Sequence, residues 1–263
     1  MVDLAKLKIR YLTRLITFII INLGFTNKLK SGIVVPFFFC HGCPLASTGC
    51  PIGIIQYYLA MNKLPLYPIG LILTSGLIMG RASCGLLCPF GAFQSLIDYF
   101  TKKFKIKISI KKRDLVKLIC LTIVLYIISL SFIFKEPTFC KICPCGTLFA
   151  TFPWYIMYPS LPIGIYFYAH ILSFTIFIIL LILLGRYWCK YVCPLRLLGY
   201  MNNLSILTIK LDLKKCNHCN YCLIHCPMNI RKVEDIGKSS DCVLCGICIE
   251  KCKYGALKYE LRF

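Results

Sequence analysis

Acid is what this chain has least of: 10 Asp and Glu stand against 31 Lys and Arg, with only four His and two Trp in 263 residues. Charged residues make up just 16% of the chain. With 58% hydrophobic residues and a mean hydropathy of +0.74, that excludes an ordinary soluble fold. There is no glycine-rich nucleotide loop and no flavin signature, and no complete catalytic site can be assembled from the residues present. The formal charge of +21 would suit a nucleic-acid binder if the basic residues formed a patch. They fall instead between and after the apolar runs, and the aromatic residues sit largely inside those runs, so nucleic acid is not an expected partner. Histidine is scarce enough to bear on haem. His170 lies in an apolar run, where an ionisable group is costly, but no other run supplies a second axial histidine. No cleavable signal is evident: residues 1–14 carry four basic residues and no small-residue cleavage site follows.

Cysteine, by contrast, is abundant. Nineteen are present, gathered in short C-x2-C and C-x3-C groups that suit metal ligation better than a disulfide framework. The strongest pattern is C-x2-C-x2-C-x3-C, written twice: Cys216, Cys219, Cys222, Cys226 with Pro227, then Cys242, Cys245, Cys248, Cys252. Three close cysteines wrap one cubane while the fourth reaches to its neighbour. One [4Fe-4S] cluster is therefore expected on Cys216, Cys219, Cys222 and Cys252, and a second on Cys242, Cys245, Cys248 and Cys226. Zinc prefers two separated ligand pairs and fits less well. Lys253 stands where proline usually follows, which should alter the loop and not the ligation. His218 and His225 are expected to be exposed, and the stretch from Asn217 to Tyr221 lacks the usual loop glycine.

Four apolar runs, at residues 11–25, 65–80, 118–134 and 163–185, are read against the ~20 residues that span a bilayer. They predict an α-helical membrane protein with four transmembrane helices in two pseudo-repeated halves, followed by an α+β two-cluster ferredoxin domain. The membrane domain would cover residues 1–200 and the ferredoxin domain 201–263. Eight basic residues lie between Lys102 and Lys117 and four lie within residues 1–14, at the start of the first helix, while residues 26–64 hold three and 135–162 hold two. The positive-inside rule then puts both termini and the ferredoxin domain in the cytoplasm, with Trp154, Tyr155 and Tyr158 in an outer aromatic belt. A weak duplication runs through the halves. Cys40, Cys43, Pro44, Gly80, Arg81, Cys84, Cys88 and Pro89 are echoed by Cys140, Cys143, Pro144, Gly185, Arg186, Cys189, Cys193 and Pro194.

The duplication suggests two further sites. An inner set, Cys84, Cys88, Cys189 and Cys193, would suit one more cluster, with a redox dithiol or free thiols as alternatives. Arg81 and Arg186 would offset its charge or snorkel at helix ends. An outer set, Cys40, Cys43, Cys140 and Cys143, with Cys50 and Cys145 as alternatives and His41 nearby, could hold a metal centre or form disulfides. The ~30 Å bilayer core makes direct tunnelling between the sets doubtful on this reading. Cys120 is expected to be a small buried apolar residue.

At these residues the chain resembles the NapH type of membrane polyferredoxin, whose relatives include the MauN proteins, the membrane part of NosR and the CcoG proteins. The resemblance rests on Cys40-His-Gly-Cys-Pro with Cys50-Pro-Ile-Gly, Gly80-Arg-x-x-Cys-Gly-x-x-Cys-Pro-Phe-Gly, Cys140-x-x-Cys-Pro, Gly185-Arg-x-Trp-Cys-x3-Cys-Pro-Leu and the two ferredoxin motifs. Cys145 and Arg196 depart from the pattern. The resemblance implies a cell-membrane protein of four helices with cytoplasmic [4Fe-4S] clusters, two of them in the ferredoxin motifs, while the inner and outer cysteine sets leave room for one or two more at the membrane faces. Its partners would be lipid, a redox protein and a quinone, and it would pass electrons between a quinol pool or soluble donor and a partner oxidoreductase. Rival readings are a CcoG-like metal-ion reductase acting on a thiophilic metal such as copper, and a nonredox assembly scaffold.

Overall fold

The computed structural model describes residues 4–25, 29–101, 113–160 and 162–262. Helix α1 (Leu4–Ile21) leads, through a segment buried at Val34, Val35 and Phe37–Phe39, to α2 (Pro51–Ala60), α3 (Leu66–Met79) and α4 (Pro89–Phe100). The second half contains α5 (Arg113–Phe134), the short α6 (Pro144–Gly146) and α7 (Phe152–Met157), and α8 (Ile165–Leu184). Strand β1 (Leu207–Leu211), α9 (Tyr221–Ile224), α10 (Ile247–Lys251) and strand β2 (Leu257–Leu261) complete the chain.

The four-span layout expected from hydropathy is not what the chain builds. Among the described residues only α8 is long and apolar enough to cross a membrane. Its 20 residues reach about 30 Å at 1.5 Å per residue, and little of it is buried: Tyr168, Leu172, Ile176 and Ile179 are exposed. Helix α3 has 14 residues, about 21 Å, and among the described residues the apolar stretch of α5 is Leu121–Phe134. Helix α1 fails for another reason. Its Arg10 and Arg14 are buried in the protein, not set at a bilayer edge. The basic run 102–112 lies outside the described residues, as does the side chain of Cys120.

The segments expected to be outer loops turn inward. Val34, Phe37, Phe38 and Phe39 are all buried, Phe39 completely. Phe38 packs on Phe90, Phe139 and Trp188, and Phe90 stacks on Phe177 at 5.0 Å. This aromatic core joins both halves, and each such ring contributes roughly 1.5–3 kcal/mol through burial.

A second core, with Ile209, Val233, Ile236, Leu244 and Leu257, lies around the C-terminal cysteines and includes Ala82 from the first half. Strands β1 and β2 pair antiparallel, with Leu207 opposite Leu261 and Leu211 opposite Leu257. That pairing closes the ends of the C-terminal segment on one another and brings the last cysteine back toward the first.

Candidate iron–sulfur sites

The Asn217–Tyr221 loop needs no glycine. His218 and Asn220 have φ of +53° and +56°, and Leu244 and Gly246 repeat the pair at +48° and +75° in the second motif. Asparagine tolerates this left-handed position better than other non-glycine residues. Asn220→Val should therefore weaken the loop by about 1–2 kcal/mol, read as earlier loss of visible absorbance on heating. His218 is exposed and His225 half-buried, with His225 Nδ1 3.0 Å from the Tyr221 carbonyl. Lys253 lies over the Tyr221 ring at 5.7 Å.

Two cavities are lined by the two ligand sets of the crossed pairing. One, of about 20 Å³, is lined by Cys216, Cys219, Cys222 and Cys252. The other, also about 20 Å³, is lined by Cys226, Cys242, Cys245 and Cys248 and by Cys222 as well. Cys222 is thus common to both. Every described cysteine is a free thiol. Among the described residues no three Cys, His, Asp or Glu side chains converge as the ligands of a single ion would; the thiols of the two sets line the two cavities.

The inner cysteines are built twice by one local device. Helices α3 and α8 each end at a glycine with positive φ, Gly80 at +52° and Gly185 at +68°, a backbone that side chains rarely adopt. An arginine follows, then a π-helical turn over Ser83–Leu87 or Trp188–Val192 holding the first cysteine. The second, Cys88 or Cys193, precedes a helix opened by proline. All four inner cysteines lie within electrostatic reach of one another, Cys193 sensing Cys189, Cys84 and Cys88. Burial pushes the Cys88 thiol up to about 12 and raises those of Cys84 and Cys193.

The arginines do not snorkel. Arg81 is 1% exposed and Arg186 4%. Arg81 donates to the carbonyls of Cys189, Ser240 and Asp241 at 3.0–3.3 Å. Arg186 donates to the Gly91 carbonyl and Ser95 Oγ, and Arg14 to the Gly85 carbonyl at 2.6 Å. The buried Nε atoms of Arg14, Arg81 and Arg186 have no partner. Buried cations need negative charge nearby, which anionic thiolate-ligated clusters would supply. Gln94, fully buried, donates its amide to Cys189 Sγ at 3.3 Å. Hydrogen bonds to sulfur tune cluster potential, so Gln94→Leu should lower the midpoint potential of one cluster in an EPR-monitored titration while iron content stays unchanged.

Residues Cys40, Cys50, Cys140, Cys143 and Cys145 line a further cavity of about 20 Å³, together with His41. Cys43 is not among them; its sulfur lies 3.6 Å from Asn22 Oδ1. The outer and inner sets are close neighbours, not separated by a bilayer's width. The Cys88 thiol lies 3.6 Å from the carbonyl of Phe38, a lining residue of the outer cavity, and Cys145 senses Cys88 electrostatically. Trp154 Nε1 donates to the Gly42 carbonyl at 2.6 Å.

The chain matches the family described as a 4Fe-4S binding domain over residues 64–107, 117–155 and 166–199. Two uncharacterized proteins of Methanocaldococcus jannaschii are each 30% identical to it, over 70% and 81% of this chain and 65% and 87% of their own lengths. The ferredoxin-type protein NapH of Escherichia coli is 24% identical over 65% of this chain and 59% of its own length. The chain belongs to the NapH-like polyferredoxins. No solved structure matches it. Its chemistry is iron–sulfur electron transfer through 4Fe-4S clusters. Neither Gln94 nor its counterpart Gln56 was singled out by motif reading, although each stands six residues after a Cys-Pro cysteine.

Proposed function

We propose that this polyferredoxin carries electrons between a redox partner protein and a second donor or acceptor, a membrane quinol or soluble protein, through clusters at the ferredoxin and inner sets. The observation that best supports this is continuity. Cys222 lies at both ferredoxin cavities, and Gly85, beside Cys84, is pressed so closely on the second that an added Cβ would lie 2.0 Å from the Val243 carbonyl and 3.1 Å from Cys245 N.

Bound [4Fe-4S] clusters would supply one-electron chemistry. The chain's own part is to ligate, space and balance them. Cys216, Cys219, Cys222 and Cys252 hold the cluster nearest the surface, where exposed Cys219 marks the docking end for the partner. Cys242, Cys245, Cys248 and Cys226 hold the next. Cys84, Cys88, Cys189 and Cys193 hold the third, with Arg14, Arg81 and Arg186 as fixed counter-charges.

Helix α8 anchors the chain in a lipid membrane. Residues 155–170 contain no Lys or Arg, whereas Arg186, Lys190 and Arg196 follow the helix, so the segment after α8, with the ferredoxin domain from about residue 201, faces the cytoplasm. The test is EPR during stepwise reduction of anaerobically purified, membrane-extracted chain. At least three cubane signals, two of them altered by magnetic coupling to a neighbour, are expected. A spectrum of isolated clusters, or a chain found only in the soluble fraction, would refute the reading.

A further inference from the structure

The outer cavity contains five cysteines, and the fold sorts them. Cys50 has φ −73° and ψ 127° and precedes a helix whose first residue is proline. Cys88 (−64°, 114°), Cys143 (−75°, 121°) and Cys193 (−61°, 120°) stand in the same conformation before the same Pro-started turns. The Cys-Pro cysteine repeated around the molecule is therefore Cys50, Cys88, Cys143 and Cys193. Cys43 also precedes a proline, but no helix starts there, and it lines no part of the cavity.

Cys145 is explained by the same repeat. It lies two residues after Cys143, where the other three units have the buried apolar Ile52, Phe90 and Leu195. A buried free cysteine behaves as a small hydrophobe.

The cavity left to Cys40, Cys50, Cys140 and Cys143 matches the two ferredoxin cavities in size, about 20 Å³ each. It also has a built hydrogen-bond donor. Gln56, fully buried on α2, donates to Cys140 Sγ at 3.5 Å. Its orientation is set by Ser131 Oγ and Phe139 N, which both donate to Gln56 Oε1, at 3.3 and 3.0 Å. Gln94 stands in the same relation to Cys189 of the inner set: in each case a glutamine six residues past a Cys-Pro cysteine of the first half meets the leading cysteine of the second.

We infer that Cys40, Cys50, Cys140 and Cys143 ligate an additional [4Fe-4S] cluster, with Cys50 and not Cys43 as its fourth ligand and Gln56 as a donor to its sulfur shell. This rests on the iron–sulfur reading above and extends the line of clusters by one, since Phe38 bridges this cavity and Cys88.

Iron and acid-labile sulfide per chain, with low-temperature EPR, test it on the full chain purified anaerobically and reconstituted with iron and sulfide. The wild type should hold about 16 of each, four cubanes. Cys50→Ala should lose about four of each, with the ferredoxin EPR signals kept as the control for folding, whereas Cys43→Ala and Cys145→Ala should keep all. If Cys50→Ala does not accumulate, Cys50→Ser, which preserves side-chain size, should change the EPR signal of one cluster. Loss from Cys43→Ala with retention in Cys50→Ala would overturn the ligand assignment. A wild-type content near 12 that falls only in inner-set variants would overturn the additional cluster and leave the proposed function standing, and a content near eight would remove both.

Discussion

Replacing Cys84 and Cys189 together with alanine is expected to remove about four iron and four sulfide per chain and to abolish electron passage beyond the ferredoxin clusters. The two residues come from different halves, so the double variant takes one ligand from each side of the inner set. The ferredoxin cysteines lie in a separate core built on Ile209, Val233, Ile236 and Leu257, so their EPR signals should persist. Reduction by dithionite would still fill those two clusters, and the remaining signals should lose the line broadening that a nearby paramagnet causes. Unchanged iron content and unchanged coupling would show that the inner thiols hold no cluster.

The second large effect is expected at Arg81. Its guanidinium ties the second half (Cys189 carbonyl) to the loop immediately before Cys242 (Ser240 and Asp241 carbonyls), and it is the largest of the fully buried side chains. Arg81→Met keeps much of the volume and removes all three bonds. Hydrogen bonds from a charged donor are worth about 1.5–3 kcal/mol each, and three carbonyls lose their donor, so a loss of several kcal/mol, about 3 or more, is expected. Denaturant unfolding followed by cluster absorbance should show it. Arg81→Lys should recover only part of the loss, because a single ammonium cannot match the planar fork. The cluster beside Cys84 should also shift to lower potential, since a fixed positive charge that favours the reduced form has gone. A stability change with no shift in potential would make Arg81 a structural tie alone.

The distant pairing of the two halves through such groups explains why some features were legible in the sequence and others were not. The ferredoxin ligand sets are local: the spacing of Cys216 to Cys226 and Cys242 to Cys252 is imposed by wrapping a short loop around one cubane, so spacing alone predicts the grouping of thiols seen around the two cavities. The inner set was legible for a related reason, because Gly80-Arg81 and Gly185-Arg186 repeat a helix stop that positions the cysteine three residues later.

The choice between Cys43 and Cys50 was not settled by the nearest motif, since both precede proline. A glycine three residues after Cys50, Cys88 and Cys143, where Cys43 is followed at that distance by Ala46, was the available signal. Hydropathy was the least reliable guide. It measures how apolar a run is and not whether its neighbours are lipid or protein, so the buried Val34–Phe39 segment and the arginines of α1 were invisible to it.

By itself, then, the sequence determined the chemistry: cysteine spacing commits the chain to iron–sulfur clusters because ligand geometry is short-range. Only the tertiary structure decided that the outer and inner thiols stand side by side, that Gln56 and Gln94 donate to sulfurs across the two halves, and that among the described residues one helix rather than four has the length and composition of a membrane span. Those outcomes depend on which buried surfaces meet, and contacts between residues about a hundred positions apart are set by packing and charge burial, not by any local pattern.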